Sequence, residues 1–469
     1  MFLLGKLPSF AQHQIGMALL SRVRSWSTSQ AHASLAQRMA GAAFLIRVAS
    51  AACIFLSQIV LARWIGSFEF GIYVYVWTWV LLIGDFVHLG LAPAAQRFIP
   101  RYTQQKTFEL LRGFVSGSRW LVFSNACGVA LLAAISVWLG EPWLDQHSIL
   151  QLYLACVALP AYALCFMLDG IARSYNWVGL ALLPPFILRP LTLIVLMVVA
   201  YQFGIMADAT TAMMATIIAA WTAAITQAIW LNSRLKLTIP PGPKAHEIAV
   251  WLKTSFPMLL VCTFYALLTY TDILMLQQFR PPEEVAHYYA ASKTLMLVAF
   301  VYFSVSAAVA HRFSEYHATG DRARLAEFVA ASVRWTFWPS LAAAVVVLAL
   351  GRPLLWLFGP SFVDGYPLMF VLAAGLLARS AVGPAERLLN MLGEQRACAA
   401  VYAAAFAINL VLCIVLIPRI GVYGAAVATA TALVSESILL FILARTRLGI
   451  HTFVWRWSDR AFAKVVARG

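Results

Sequence analysis

Long apolar runs alternate with short polar connections from residue 40 to residue 445 of the chain. A helix needs roughly 20 apolar residues to cross a bilayer, so runs of this length predict transmembrane helices. The longest connections between the runs are 92–117, 232–251 and 312–333. The twelve predicted spans are 41–63, 71–91, 118–140, 149–170, 178–203, 210–231, 252–278, 286–311, 334–358, 366–390, 397–417 and 422–444.

The composition is typical of a protein whose solvent is largely lipid. Of the 469 residues, 62% are hydrophobic and only 11% are charged, whereas soluble domains carry about 25% charged residues. The mean hydropathy is +0.80. Because a water-soluble core could not bury so much apolar surface, the predicted fold class is an all-α integral membrane protein of about twelve transmembrane helices.

The cations of the loops are distributed unevenly across the predicted membrane. With the N-terminus inside, only Arg63, Arg280, Arg352 and Arg419 fall in outside loops. Since Lys- and Arg-rich loops stay in the cytoplasm, both termini are predicted to be cytoplasmic. Attraction to anionic membrane lipids then explains the formal net charge of +15, and no nucleic-acid partner is expected.

The chain is predicted to contain two lobes between basic ends. The N-terminal arm is rich in Arg and Ser and lacks acidic residues, and an organelle transit peptide is the alternative interpretation of it. The predicted domains are a basic cytoplasmic arm (1–39), a first lobe of six spans (40–231), a cytoplasmic linker (232–251), a second lobe of six spans (252–447) and a basic cytoplasmic tail (448–469).

A faint internal repeat indicates that the two lobes are related. The segments EFGIY (69–73) and EVAHY (284–288) keep Glu and Tyr at the same spacing, and RFIPRY (97–102) parallels RFSEY (312–316). Both pairs are offset by 215 residues. Parallel repeats of this kind enclose a substrate path between them, so the lobes are predicted to be pseudo-symmetric.

Several ionisable side chains fall inside the predicted spans. Each costs roughly 2.5–3.5 kcal/mol in mid-membrane on insertion scales, so such residues normally face a protein interior or an aqueous cavity. Arg and Lys suit an anionic diphosphate, aromatic rings can stack on sugars, and carboxylates suit coupling to a proton or Na⁺. The predicted substrate-binding residues are Arg47, Arg189, Lys293, Arg379, Tyr265 and Tyr289, and the predicted ion-coupling residues are Asp85, Asp272 and Glu436.

Helical periodicity places some of these residues on common polar faces. Tyr289 and Lys293 share a face of the eighth span, and Arg379, Gly383 and Glu386 align along the tenth. Polar faces on several helices indicate one shared interior.

Two of the buried charges also have structural alternatives. Asp85 could pair with Arg47 rather than bind an ion. Arg189, which lies between Pro185 and Pro190, could satisfy backbone carbonyls that the prolines leave unpaired.

Motifs of several other protein classes are absent from the sequence. There is no phosphate-binding G-x-x-x-x-G-K-S/T loop, no H-E-x-x-H and no C-x-x-C pair. The sequence has no D-x-D motif and only short outside loops, which disfavours a membrane glycosyltransferase or polymerase. No cofactor, metal site or catalytic residue is predicted, and the chain is not expected to be an enzyme.

Four segments resemble bacterial polysaccharide flippases of the Wzx type. They are GDFVHLGLAPAAQRFIPRY (84–102), YTDILML (270–276), LFGPSFVDGY (357–366) and NLVLCIVLIPRIGVYGAAVAT (409–429). The last segment is similar to a signature of the multidrug/oligosaccharidyl-lipid/polysaccharide exporter superfamily. The resemblance covers roughly 40–450, and it carries Asp272 over from a matched motif.

The resemblance implies a transporter that flips an undecaprenyl-pyrophosphate-linked oligosaccharide across the bacterial inner membrane. The cargo would be a unit of O-antigen, capsule or exopolysaccharide, and a proton or Na⁺ gradient would drive alternating access. A polysaccharide polymerase and a chain-length regulator are the candidate partners. The alternatives are a cation-coupled multidrug exporter on the same scaffold and a membrane-bound polysaccharide polymerase.

Overall fold

The computed structural model describes residues 9–318 and 321–455, with side chains described in 46–306, 308–310, 312–316 and 321–455. Every regular element in these residues is helical. The structure divides into two compact units, Met1–Ala52 and Cys53–Gly469. The predicted N-terminal arm, 1–39, is helical from Ser9, and 1–8 lie outside the described residues.

The first helix, α1 (Ser9–Val87), holds two of the predicted spans. Gly66 within it has φ 80° and ψ 171°, a conformation that is essentially restricted to glycine. The apolar stretch around it, Ile46–Gln104, is 59 residues long, more than twice what one crossing needs. In the described residues, eleven helical stretches are long and apolar enough to cross a membrane. The first stretch, Ile46–Gln104, holds two predicted spans, so the eleven stretches account for the twelve predicted spans.

The first half of the chain continues through the helices that complete the predicted spans three to six. These are α2 (Leu91–Gln104), α3 (Phe108–Gly140), α4 (Gln146–Ser174), α5 (Val178–Leu183), α6 (Arg189–Gln202) and α7 (Ala209–Thr238). Between α5 and α6, Pro184–Leu188 is wound as a π-helix. Pro184 and Pro185 have no backbone N–H, so the regular hydrogen-bond ladder is interrupted just before Arg189.

The second half repeats this organisation. Its helices are α8 (Ile248–Phe279), α9 (Pro282–Ala318), α10 (Arg322–Ala349), α11 (Gly351–Phe358), α12 (Tyr366–Val382), α13 (Ala385–Met391), α14 (Gln395–Ile420) and α15 (Val422–Leu443). The connection between halves lies against α3, where Arg112 donates hydrogen bonds to the carbonyls of Pro240 and Pro243 at 2.8 and 2.7 Å.

Two of the connections between predicted spans are largely helical, because the helices continue into charged residues. Most of 312–333 is helical, since α9 runs to Ala318 and α10 starts at Arg322. Phe313, Leu325 and Val329 are buried in one apolar cluster there, which stabilises both helix ends. Likewise, 92–117 contains the amphipathic helix α2.

The tenth predicted span is broken rather than continuous. α12 ends at Val382, Gly383 has φ 63°, and α13 begins after Pro384. The polar face predicted along Arg379, Gly383 and Glu386 was therefore wrong, because the helical periodicity is lost at the break. The predicted ninth span, 334–358, also ends early, since α10 stops at Ala349 and α11 is a separate short helix.

Matching contacts reflect the pseudo-symmetry that the repeat predicts. In the first half, the Thr216 hydroxyl lies 3.2 Å from the Tyr73 hydroxyl. In the second, the hydroxyls of Tyr288 and Thr429 lie 3.1 Å apart. The repeat aligns the two tyrosines with each other, and the threonines have nearly the same offset. Each half thus joins its second and sixth spans through a Tyr–Thr pair.

Two regions of the second unit join the halves. At one, Trp251 donates to the Tyr102 hydroxyl at 3.1 Å, and Ser255 donates to the carbonyl of Leu89 at 2.8 Å. At the other, the rings of Phe70 and Phe362 lie 6.0 Å apart. The predicted orientation puts the first region on the cytoplasmic side and the second on the outer side.

Residues 449–455 pack along the second half. The backbone N–H of Val454 donates to the carbonyl of Ala381 at 3.0 Å, while Ile450 and Thr452 are buried. The predicted tail, 448–469, therefore starts with a packed segment, and 456–469 lie outside the described residues.

Candidate functional site

Lys293 and Tyr289 lie one turn apart on α9, as the sequence predicts. The Lys293 ammonium lies 4.9 Å from the centre of the Tyr289 ring, a favourable cation–π distance. Its other side-chain contact among the described residues is the Met296 sulfur at 3.7 Å. No carboxylate lies within ion-pair distance of Lys293 among the described side chains. Lys293 is thus a half-buried cation available to an anion.

Tyr289 connects this cation to the first half of the chain. Its hydroxyl donates to Oε1 of Gln58 at 3.4 Å, and its ring makes an edge contact with Phe70 at 5.8 Å. The Lys293 side chain therefore lies close to the boundary between the halves.

Arg379 and Glu436 form a buried ion pair between α12 and α15. Nη2 of Arg379 lies 3.4 Å from Oε1 of Glu436, and the side chains are 10% and 0% exposed. The guanidinium also lies over the rings of Tyr265 and Tyr302 at 5.6 and 5.0 Å. Arg379 Nε and Nη2 and both Glu436 oxygens make no hydrogen bond in the described residues. The pair has charge compensation but incomplete hydrogen bonding.

Asp272 on α8 is held by residues from two other helices. Its carboxylate accepts hydrogen bonds from the hydroxyls of Tyr288 on α9 and Thr429 on α15. The backbone N–H of Ile273 also donates to it at 2.8 Å. The Lys293 ammonium attracts it through space. Asp272 is only 4% exposed, so it is a buried acidic group inside the second half.

Arg189 lines a small cavity in the first half. The cavity measures about 30 Å³, and Ser57, Gln58, Tyr73 and Thr216 supply its polar groups. The guanidinium lies 5.3 Å from the centre of the Trp77 ring. Arg189 acts electrostatically on both Tyr73 and Tyr289, so it lies near the chain of contacts that leads to Lys293.

The predicted residue Asp85 is not part of these clusters. It is half-buried near the end of α1, and within the described part of the chain it makes no ion pair or hydrogen bond. Arg47 lies in the unit Met1–Ala52, where its side chain is half-buried.

Sequence reasoning missed several partners of the predicted residues. Tyr288 and Thr429 were not identified as ligands of Asp272, and Gln58 was not linked to Tyr289. Tyr288 lies in the repeated EVAHY segment, so the repeat was the signal that could have found it.

The arrangement is suited to binding ions and polar cargo. Cations rest against aromatic rings at three places, and one buried carboxylate accepts hydroxyl hydrogen bonds. No group of three or more His, Cys, Asp or Glu side chains that could hold a metal ion occurs in the residues described.

Two family models match the chain. A model described as "Polysaccharide biosynthesis protein" matches residues 39–317, and a model described as "MatE" matches residues 257–415. Comparison with curated proteins gives no significant match.

Solved structures of similar fold are membrane transporters. An inward-facing multidrug resistance MATE family transporter of the MOP superfamily is 14% identical, with 87% of this chain and 94% of that chain covered and a TM-score of 0.69. The lipid II flippase MurJ in an inward closed conformation is 15% identical, with 86% and 88% covered and a TM-score of 0.68. These likenesses confirm the predicted fold class of a two-lobed, all-α membrane protein.

Proposed function

The chain belongs to the polysaccharide biosynthesis protein family, and from that premise we propose that it flips a lipid-linked oligosaccharide across the membrane. The cargo is a unit of O-antigen, capsule or exopolysaccharide carried on undecaprenyl pyrophosphate. The fold shared with a lipid II flippase supports a cargo with a lipid anchor and a sugar-bearing head group.

The observation that carries this proposal is the unpaired ammonium of Lys293 above the Tyr289 ring. A cation inside a membrane protein is costly unless something compensates its charge. A diphosphate would supply that charge, and the neighbouring aromatic ring would offer a stacking surface to a sugar. Because Tyr289 contacts Gln58 in the other half, cargo bound here would contact both halves.

Arg379 is the second substrate cation in the proposal. In the present conformation its charge is compensated by Glu436. A diphosphate accepts bidentate hydrogen bonds from arginine, so bound cargo would compete with Glu436 for the guanidinium. Glu436, once released in a buried site, would favour taking up a proton. Tyr265 supports the same guanidinium, and Arg47 and Arg189 add positive charge.

Asp272 is the proposed centre of ion coupling. It is buried, and it accepts hydrogen bonds from Tyr288 and Thr429 on two different helices. A proton or Na⁺ bound to its carboxylate would change how α8, α9 and α15 are held together. Asp85, a half-buried carboxyl without an ion pair in the described residues, is a further proposed proton site.

The proposed setting is the bacterial inner membrane, with both termini in the cytoplasm. The two lobes, 40–231 and 252–447, would alternate about the linker 232–251 while anionic lipids hold the basic ends. A polysaccharide polymerase and a chain-length regulator are the proposed partners.

Deletion of the gene followed by complementation tests the function. We expect export of surface polysaccharide to stop and to return with the wild-type chain, but not with Lys293→Ala or Arg379→Ala. Arg324→Ala is the matched control, because Arg324 lies on α10 with a side chain 75% exposed. Normal export without the gene, or with both interior charges removed, would contradict the proposal.

A cation-coupled multidrug exporter is the second candidate, favoured by the MatE match over 257–415. It would need an interior that accepts cationic drugs, whereas Lys293 would repel them. Drug-susceptibility assays separate the two functions: the exporter predicts sensitivity in the deletion strain with normal polysaccharide.

A further inference from the structure

The Tyr–Thr pairs of the two halves face groups of opposite charge. In the second half, Tyr288 and Thr429 contact the carboxylate of Asp272. In the first half, Tyr73 and Thr216 line the small cavity together with Arg189. The residue 215 positions before Asp272 is Ser57, a neutral side chain that lines the same cavity. At the position related to Asp272, the first half therefore carries a neutral serine, and the charged side chain in the same cavity is the cation Arg189.

The hydrogen-bond donors of Arg189 have no partner in the part of the chain that the structure describes. An arginine carries five N–H donors, yet within the described residues Arg189 makes no hydrogen bond and no ion pair. Its contact is the face of Trp77 at 5.3 Å, which attracts the charge but accepts no conventional hydrogen bond. A half-buried arginine in a span normally pairs with a carboxylate or with backbone carbonyls, so the missing partner requires an explanation.

The nearest acidic side chains do not supply it. Asp169 is bound to Arg173, with 2.8 Å between Oδ2 and Nε. Asp85 makes no ion pair with Arg189. The charge of Arg189 is therefore left to a group that enters the cavity from outside the chain.

The size of the cavity restricts what that group can be. At about 30 Å³, it exceeds the roughly 10–15 Å³ that a single water needs by about twofold to threefold, so it suits an ion little larger than a water molecule. Ser57, Gln58, Tyr73 and Thr216 place hydroxyl and amide groups around it. The Ser57 and Thr216 hydroxyls donate to the carbonyls of Ile54 and Ala212, so the Gln58 amide N–H groups and the Tyr73 hydroxyl are the donors left for an anion.

We propose that the cavity beside Arg189 binds a small monovalent anion of halide size, such as chloride. The anion compensates the guanidinium charge and accepts hydrogen bonds from the polar side chains around it. The bound anion contacts the first, second, fifth and sixth spans, because residues of these four spans line the cavity. The two halves thus bind ions of opposite sign at related positions, an anion beside Arg189 and a cation at Asp272.

Thermal unfolding of the purified full-length chain in detergent tests this proposal. Sodium chloride or bromide is titrated against sodium gluconate at constant ionic strength. We expect Tm to rise with halide concentration and to saturate, because a ligand that binds only the folded chain stabilises it. Sodium pyrophosphate tests the proposed Lys293 site instead, and any rise in Tm that it causes should be the same in Arg189→Gln as in the wild type.

Arg189→Gln should abolish the halide-dependent rise, and Lys293→Gln, which removes a different interior cation, should retain it. If Arg189→Gln fails to fold, Tyr73→Phe and Gln58→Leu should each weaken halide binding. A wild-type Tm that is independent of halide would mean that the cavity holds water only, and the proposal would be wrong. Loss of the rise in Lys293→Gln with its retention in Arg189→Gln would also overturn it. No transported cargo is used, so failure here leaves the transport proposal standing.

Discussion

At the scale of single residues, the buried ion pair of Arg379 and Glu436 shows how much an uncompensated charge would destabilise the fold. Removing one partner leaves the other charge buried and uncompensated, which typically costs about 3–5 kcal/mol. We expect Arg379→Gln to lower the free energy of unfolding by that amount, because Glu436 is fully buried. The double variant Arg379→Gln with Glu436→Gln should recover most of the loss. Denaturant unfolding in detergent measures both, and a single variant as stable as the double would contradict the prediction.

The Asp272 site allows a comparison between the two halves. Thr429→Val removes a hydroxyl that donates to the Asp272 carboxylate at 3.0 Å. A hydrogen bond to a charged group contributes about 1.5–3 kcal/mol, and this one stabilises the ionised carboxylate. Without it the carboxylate should bind a proton more tightly, so we expect the cation concentration that supports half-maximal transport to fall about tenfold or more. Thr222→Val in the first half is the matched control, since Thr222 on α7 donates to the Ile218 carbonyl instead of to a carboxylate. Transport assays in vesicles would count against the role of Asp272 if both variants shifted equally.

The sequence could identify these charged residues but not their partners. The cost of an ionisable group in lipid pointed to Arg379, Glu436 and Asp272 without structural information. Pairing depends on how distant spans are rotated against each other, and a single sequence does not contain that rotation. Glu436 was therefore assigned to ion coupling and Arg379 to substrate, although the structure pairs them.

At the scale of helices, length and apolarity predicted the spans well, whereas breaks and extensions were missed. The apolar content of a segment indicates which residues face lipid. Gly383 and Pro384 end α12 without lowering that apolar content, so the break could not be predicted from it. Charged helix ends such as those of α9 and α10 resemble loops in composition. They stay helical because Phe313 and Leu325 pack on one face.

The packed segment 449–455 compensates the break after α12. Val454 donates its backbone N–H to the carbonyl of Ala381, one residue before α12 ends. Val454→Pro removes that donor and leaves a carbonyl without a partner, so we expect a loss of about 1–3 kcal/mol in the free energy of unfolding. Val454→Ala keeps the N–H and should cost clearly less. Equal stability of the two variants in denaturant titrations would show that this hydrogen bond does not hold the segment.

At the scale of the whole second unit, alternating access requires the two regions that join the halves to separate in turn. Separation of the Trp251–Tyr102 region would open the predicted cytoplasmic side, and separation of the region around Gly71 and Phe70 would open the predicted outer side. The outer region is closed in this structure, because a Cβ at Gly71 would overlap the carbonyl of Pro282.

Gly71→Val should therefore shift the molecule toward a state open to the outside. The added side chain cannot fit against Pro282, and overpacking of this kind costs about 1–3 kcal/mol in the closed state. Each 1.4 kcal/mol changes a population ratio tenfold. A cysteine at Lys293, in a background without native cysteines, should then react about tenfold faster with a membrane-impermeant maleimide added from outside. Gly128→Val is the matched control, because a Cβ at Gly128 meets nothing within 4 Å. Equal labelling in the two variants would show that the region around Gly71 and Phe70 does not control access from outside.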